Sequence, residues 1–217
     1  MEKQLGLKKE LRLAPTLDFE KLAAQLGFVN IAGVDEAGRG PLAGPVVVAA
    51  VILGKYWKSE YPLNDSKKLS MRKRENLFDL ICSEAKAFNI VSISSEVIDK
   101  LNILSATLFG MGQCLAGMSP KPDYALIDGD HYPQTEVPGE ALIKGDERSK
   151  SIAAASILAK VTRDRFMLEK AKLYPEWGFE IHKGYATKMH REAIAKFGLT
   201  PIHRKSFKLK AKQLDLF

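Results

Sequence analysis

The chain has 217 residues, is 46% hydrophobic and carries a formal net charge of +7 with a pI near 9.3. That length and apolar content suit one large globular domain with a small appendage, and the excess of positive charge points to a polyanionic partner such as nucleic acid or an anionic lipid surface. Cys82 and Cys114 lie far apart without CxxC spacing, the first 15 residues lack an apolar leader segment, and the longest apolar run, "PLAGPVVVAAVIL", holds two prolines; a zinc site, a disulfide framework, export and a membrane span are all set aside in favour of a soluble cytoplasmic protein.

In chain order, "TLDFEKLAAQLG" reads as a short helix with Thr16 as N-cap and Gly27 as its stop. "FVNIAGVD" and "PVVVAAVIL" are β-branched, nearly continuous apolar runs separated by a glycine-rich turn, so they are expected to pair as a hairpin covered on both faces. Ser70 caps a predicted helix, "MRKRENLFDLICSEAKA", which leads into a third strand, "FNIVSIS". Ser95 precedes a helical stretch, interrupted or continuous, in which Leu101, Leu104, Leu108, Met111 and Leu115 recur at helical spacing. "YALID" and "ALIK" read as short strands, "SKSIAAASILAKVTRDRFMLEKAKLY" as a long helix with a close-packing alanine-rich part, and Thr187 to Gly198 as a last helix. Strands first, then strands alternating with helices, and no internal repeat predict one α/β domain with a mixed sheet flanked by helices and a small helical C-terminal portion.

Three of these strand-like segments end in acid: Asp35 and Glu36 after "AGV", Asp128 after "YALI" and Asp146 after "ALIKG". Loops beyond strand ends are where α/β sheets assemble sites, and carboxylates gathered there repel one another unless cations neutralise them or some stay protonated. Oxygen-only ligands favour Mg²⁺ or Mn²⁺, and two such ions ~4 Å apart activate a water on one side of a phosphodiester and stabilise the leaving oxygen on the other. Asp123, Asp130, Glu140, Glu147 and Asp164 lie nearby in sequence, and spacing alone leaves them as alternatives.

"GVDEAGRGPLAGPVVVAAVIL", "NDSKKLS", "LNILSATLFGM", "LIDGD", "IKGDERSKSIAAASILAKVTRD" and "HKGYAT" together resemble bacterial ribonuclease HII, of the type 2 ribonuclease H family, from about Val29 to Phe207. The resemblance implies a ribonuclease H-like fold and places that family's four metal-binding, catalytic acids at Asp35, Glu36, Asp128 and Asp146. It implies that the backbone of Gly38, Arg39 and Gly40 approaches the ribose 2′-hydroxyl at an RNA to DNA junction, and that Tyr185 stacks on the deoxyribose beyond it. The chemistry expected on this basis is hydrolysis of RNA in RNA–DNA hybrids and cleavage 5′ of single ribonucleotides in duplex DNA, leaving 3′-hydroxyl and 5′-phosphate ends. A junction resolvase of the same superfamily, indifferent to the 2′-hydroxyl, and a hybrid-binding protein without catalysis are the competing readings.

Neighbouring side chains of a regular strand point to opposite faces, so Asp35 and Glu36 are expected to share a site only if the strand stops or bulges between them. Ser66 and Lys67, with Lys68, are candidates for phosphate contacts. His182 reads as a structural or surface histidine ahead of a role in protonating the leaving group. The chain divides into a lead-in over 1–28, a catalytic domain over 29–207 and a basic tail over 208–217, and a monomer is expected. The tail ends in "QLDLF", which resembles the bacterial sliding-clamp-binding motif; Gln213, Leu214, Leu216 and Phe217 would supply the contact with that partner.

Overall fold

The computed structural model describes residues 14–54, 57, 63 and 69–207. Five strands form one mixed sheet in the order β3-β2-β1-β4-β5. Strand β1 (Ile31–Ala37) pairs antiparallel with β2 (Val46–Ile52), and β2 pairs antiparallel with β3 (Ala87–Ile93); β1 runs parallel to β4 (Tyr124–Asp128), and β4 parallel to β5 (Gly139–Leu142). The predicted hairpin is therefore present, and the sheet is mixed as expected.

The continuous apolarity of β2 follows from burial on both faces. Val47, Ala49 and Val51 face α5 (Lys150–Leu173) and pack with Ala153, Ala154, Ile157 and Leu158, while Val48, Ala50 and Ile52 face α4 (Ile103–Ala116) and pack with Met111, Cys114 and Leu115. α2 (Met71–Glu84), capped by Ser70 as predicted, adds Leu77 and Ile81 to the α5 side. β1 and α5 approach so closely that a Cβ at Gly33 would lie 2.1 Å from the Ser151 carbonyl carbon. This contact brings the N-terminal half of α5 alongside Asp35.

Several local expectations are corrected. α1 (Asp18–Gln25) has Leu17, not Thr16, at its N-cap; the Thr16 backbone instead bridges Arg148 and Lys150, and its hydroxyl accepts from Asp18 N–H at 3.4 Å. Gly27 does stop the helix, at φ +99°. The stretch after β3 is two helices, α3 (Ser95–Leu101) and α4, because Asn102 takes a left-handed φ of 68° and its side chain accepts from Ser105 N–H to start the second. Ser94 caps α3, whose first residue is Ser95, and Leu101 is exposed; the buried line of α4 includes Ala106, Met111, Cys114 and Leu115. The last strand is Gly139–Leu142 rather than "ALIK", since its pairing ends at Asp128↔Leu142, Ile143 is exposed and Lys144 turns left-handed.

The helical C-terminal portion packs on the second half of α5. A 3₁₀ turn (Pro175–Trp177), α6 (Phe179–His182) and α7 (Lys188–Phe197), capped by Thr187, enclose Phe179 against Met167, Ala171 and Ala43. Among the described residues no helix is long and apolar enough to cross a membrane.

Candidate active site at the acidic end of the sheet

Asp35 is the buried centre of the site, 4% exposed, on the β1 face that packs against α5. Its carboxylate accepts from the Glu36 N–H at 2.7 Å, and the Ser156 side chain on α5 hydrogen-bonds to it. Burial, then the Glu36 and Asp128 carboxylates, hold the Asp35 carboxyl well above the usual range; Ser156 opposes this and Asp146 adds to it. Carboxylates on three separate segments thus converge electrostatically on one buried acid, as the strand-end pattern implied.

The expected break between Asp35 and Glu36 is absent. The β2 register runs unbroken through Asp35↔Ala49, Glu36↔Val48 and Ala37↔Val47. What stops is the pairing on the other side: β1 and β4 part after Val34↔Ile127, so Asp35 and Glu36 extend beyond the last paired residue of β4. At such an edge the two carboxylates come into electrostatic range without a bulge.

Asp128 closes β4, and its Oδ1 accepts from Gly145 N–H at 2.6 Å and Asp146 N–H at 3.3 Å. Those donors belong to the short 3₁₀ turn (Gly145–Glu147) that carries Asp146, itself 6% exposed, so one carboxylate fixes the segment bearing the next. A Cβ at Gly145 would come within 2.5 Å of the Ile152 side-chain tip and 3.2 Å of Asp128 Oδ1. Among the described residues no three His, Cys, Asp or Glu side chains are already drawn into an ion cage. The donor set is nonetheless all oxygen, partly desolvated and mutually repelling, the chemistry that a hard divalent cation fits.

Of the alternative acids, Glu147 shares the 3₁₀ turn of Asp146, while Asp123, Asp130 and Asp164 have partners of their own. Asp123 accepts from Val29 and Asn30 N–H groups ahead of β1, at the opposite end of the sheet. Asp130 pairs with His131 in solvent, and Asp164 pairs with Lys160 and Arg74.

Immediately after β1, Gly38 takes φ +100°, where a side chain is strained and a Cβ would lie 2.1 Å from Arg163 Nε. Arg39 is half-exposed and reaches Glu36 at 3.5 Å. Gly40 lies beside Tyr185: a Cβ there would stand 3.8 Å from the Tyr185 ring. Tyr185 is 46% exposed, with Arg163 5.9 Å from its ring centre. The structure thus gathers Gly38, Arg39, Gly40 and Tyr185 on one side of the acids. Ser66, Lys67, Gln213, Leu214, Leu216 and Phe217 lie outside the described residues.

His182 is structural. Its Nδ1 accepts from Gly184 N–H at 3.1 Å and its Nε2 lies 2.7 Å from the Trp177 carbonyl, so both ring nitrogens are committed; burial lowers its pKa. It stacks on His190 at 4.4 Å. From the Thr200 N–H donor, a chain of hydrogen bonds runs to His203 Nδ1 (2.8 Å), from His203 Nε2 to His190 Nε2 (3.0 Å) and from His190 Nδ1 to the Tyr185 carbonyl (3.0 Å). That direction requires both rings neutral, and burial pushes each down to about 4.

Sequence reasoning missed Arg163 and Arg204, buried at 1% and 2% exposure behind the glycine loop. Burial lowers both guanidinium pKa values, with Arg163 adding to the shift of Arg204 to about 9, so both stay cationic at neutral pH. The available signal was an arginine pair in "TRDR" on an otherwise close-packing helix and another basic residue in the "PIHRK" segment.

The ribonuclease HII family model matches residues 32–210. Ribonuclease HII of Clostridioides difficile is 50% identical over 200 residues, 92% of this chain and 78% of that protein. The crystal structure of ribonuclease H2 from Pyrococcus horikoshii superposes with a TM-score of 0.73 at 26% identity, covering 83% of this chain and 94% of the other. Ribonuclease HII of Archaeoglobus fulgidus, solved in complex with PCNA, also gives 0.73, at 29% identity over 87% of this chain and 100% of that one. With an acid cluster at the end of a ribonuclease H-like sheet and sequence identity across almost its whole length, the chain belongs to the ribonuclease HII family, endoribonucleases of the ribonuclease H type.

Proposed function

We propose that this enzyme hydrolyses the RNA strand of RNA–DNA hybrids and the phosphodiester on the 5′ side of a single ribonucleotide in duplex DNA, leaving 3′-hydroxyl and 5′-phosphate ends. The observation that carries the reading is the convergence of the Glu36, Asp128 and Asp146 carboxylates on buried Asp35, next to a loop and an exposed tyrosine suited to a sugar–phosphate strand. Asp35, Glu36, Asp128 and Asp146 would hold Mg²⁺ or Mn²⁺ as catalytic residues in a two-metal-ion mechanism. Bound there, the ions would supply Lewis acidity and a water of lowered pKa.

The protein's own groups position this chemistry. Ser156 steadies Asp35, and the Gly145 and Asp146 N–H groups hold Asp128. Gly38 and Gly40 admit the ribose to the loop backbone, Arg39 offers charge to a phosphate, and Tyr185 presents a ring face for the neighbouring sugar. Ser66 and Lys67 are proposed to add phosphate contacts, and residues 1–28, 29–207 and 208–217 to act as lead-in, catalytic domain and tail. Gln213, Leu214, Leu216 and Phe217 are proposed to dock on the DNA sliding clamp; the complex of the Archaeoglobus relative with PCNA supports that reading.

The test compares a duplex carrying one ribonucleotide with the same duplex in DNA alone, with Mg²⁺, Mn²⁺ or EDTA. Metal-dependent cutting 5′ of the ribonucleotide only is expected. Equal cutting of both duplexes would favour the resolvase reading, and cutting in EDTA would refute the role of the acids.

A further inference from the structure

The loop from Gly38 to Pro45 is held from inside by two arginines. Arg163, on α5, donates from Nε to the Pro45 carbonyl, from Nη2 to that of Ala43 and from Nη1 to that of Lys183, each at 3.0 Å. Arg204 donates to the carbonyls of Gly44 at 3.0 Å, Arg39 at 2.8 Å and Gly38 at 2.5 Å. Among the described residues neither guanidinium has a carboxylate within ion-pair range; backbone carbonyls make the direct contacts, while Asp164 favours the charge of Arg163 and Asp99 that of Arg204 through space.

This arrangement dictates which way the loop's donors face. In a trans peptide the C=O and the following N–H point in opposite directions. With the Gly38 and Arg39 carbonyls drawn inward to Arg204, the N–H groups of Arg39 and Gly40 are turned outward, and among the described residues neither donates to a protein acceptor. Gly38 has a positive φ and Arg39 does not, and a change of hand between successive residues can turn neighbouring N–H groups toward one anion or oxygen. Gly38 must lack a Cβ because Arg163 occupies that space.

We propose that Arg163 and Arg204 are positioning residues for ribonucleotide recognition: by holding these carbonyls inward they aim the Arg39 and Gly40 N–H groups at the 2′-oxygen and adjoining phosphate of the substrate. Arg163 also ties the loop to Lys183, two residues before Tyr185, so that one side chain sets the spacing between the donors and the stacking ring. The proposal rests on the reading of this loop as the ribose-contacting element.

The experiment measures kcat and KM on a duplex with one ribonucleotide, together with the affinity for the otherwise identical all-DNA duplex, for the wild type, Arg204→Lys and Gly40→Pro. Lysine keeps the charge but, as a compact ammonium, lacks the planar fork by which Nε, Nη1 and Nη2 reach three separated carbonyls. Proline deletes the Gly40 donor while leaving both arginines; Gly40 avoids the left-handed region, and only the Tyr185 ring approaches its Cβ position. Both variants are expected to lose about tenfold in preference for the ribonucleotide duplex, the scale of one hydrogen-bond donor, chiefly in KM. A merely structural role would lower melting temperature and weaken both duplexes alike. Wild-type preference in either variant that melts within a few degrees of the parent overturns the proposal, and should Arg204→Lys not fold, the same measurements on Arg163→Lys decide it. A wild-type enzyme that shows no preference at all would instead overturn the underlying functional reading, and this inference with it.

Discussion

The acidic end of the sheet and the helical C-terminal portion treat buried ionisable groups in opposite ways. Around Asp35, carboxylates from β1, β4 and the 3₁₀ turn are set against one another, with a serine hydroxyl and backbone N–H groups as partial relief. Around Phe179, His182, His190 and His203 are linked ring to ring and to backbone groups until every ring nitrogen has a partner. The first region holds electrostatic cost that a cation can relieve; the second has satisfied its polar groups internally and gains rigidity. The contrast separates the place where a ligand is needed from the scaffold that aims Tyr185 at it.

The largest effect that would break this contrast is on catalysis. Asp35→Asn or Asp128→Asn is expected to lower single-turnover cleavage by at least about 1,000-fold while hybrid binding survives, in the manner of lost metal ligands; near-normal rates in saturating Mg²⁺ would remove the acids from the mechanism. In metal-free protein Asp35→Asn should raise the melting temperature at pH 7, because the charge removed was unfavourable. The gain should shrink at pH 4, where the raised pKa lets the wild-type carboxyl protonate.

Gly38→Ala comes next. Its Cβ enters Arg163 at a left-handed φ, and a loss of about 2–3 kcal/mol in denaturant unfolding is expected, accompanied by weakened substrate binding. Unchanged stability would mean that the arginine-backed loop is slack.

Acid sharpens the comparison further. His190 and His203 have folded pKa values near 4, below the ordinary value near 6.5, so the folded state binds fewer protons between those values. Their contribution to stability is complete above about pH 6.5 and is lost as pH falls toward 4, opposite in sign to that of Asp35. Denaturant titrations at pH 7, 5.5 and 4.5 on Asp35→Asn should show this decline without the opposing relief; a flat profile would contradict the neutral histidine chain. The smallest effect on chemistry is expected from deleting Gln213 to Phe217, with cleavage of short oligonucleotides within about twofold of the parent and clamp binding abolished in calorimetry.

Where the residue pattern itself carries the physics, the sequence was sufficient. Two-faced burial makes β2 uniformly apolar, Ser70 and Thr187 cap helices through their own hydroxyls, and the acids at strand ends mark the edge where a parallel pair stops. The segmentation and the four candidate acids were legible for that reason. What only the tertiary structure decided depends on contacts between residues far apart in the chain. The Glu36 charge acts on Asp35 along an unbroken β1 that runs past its last pair with β4, without a bulge, and no property of "VDE" reports the length of a neighbouring strand. Nothing in the sequence establishes Arg163 and Arg204 as buried, yet they reach about 120 and 165 positions back along the chain to the loop carbonyls. A side chain's charge is written in the sequence, whereas its burial and the direction of the backbone dipoles that balance it arise only when the chain has closed around it.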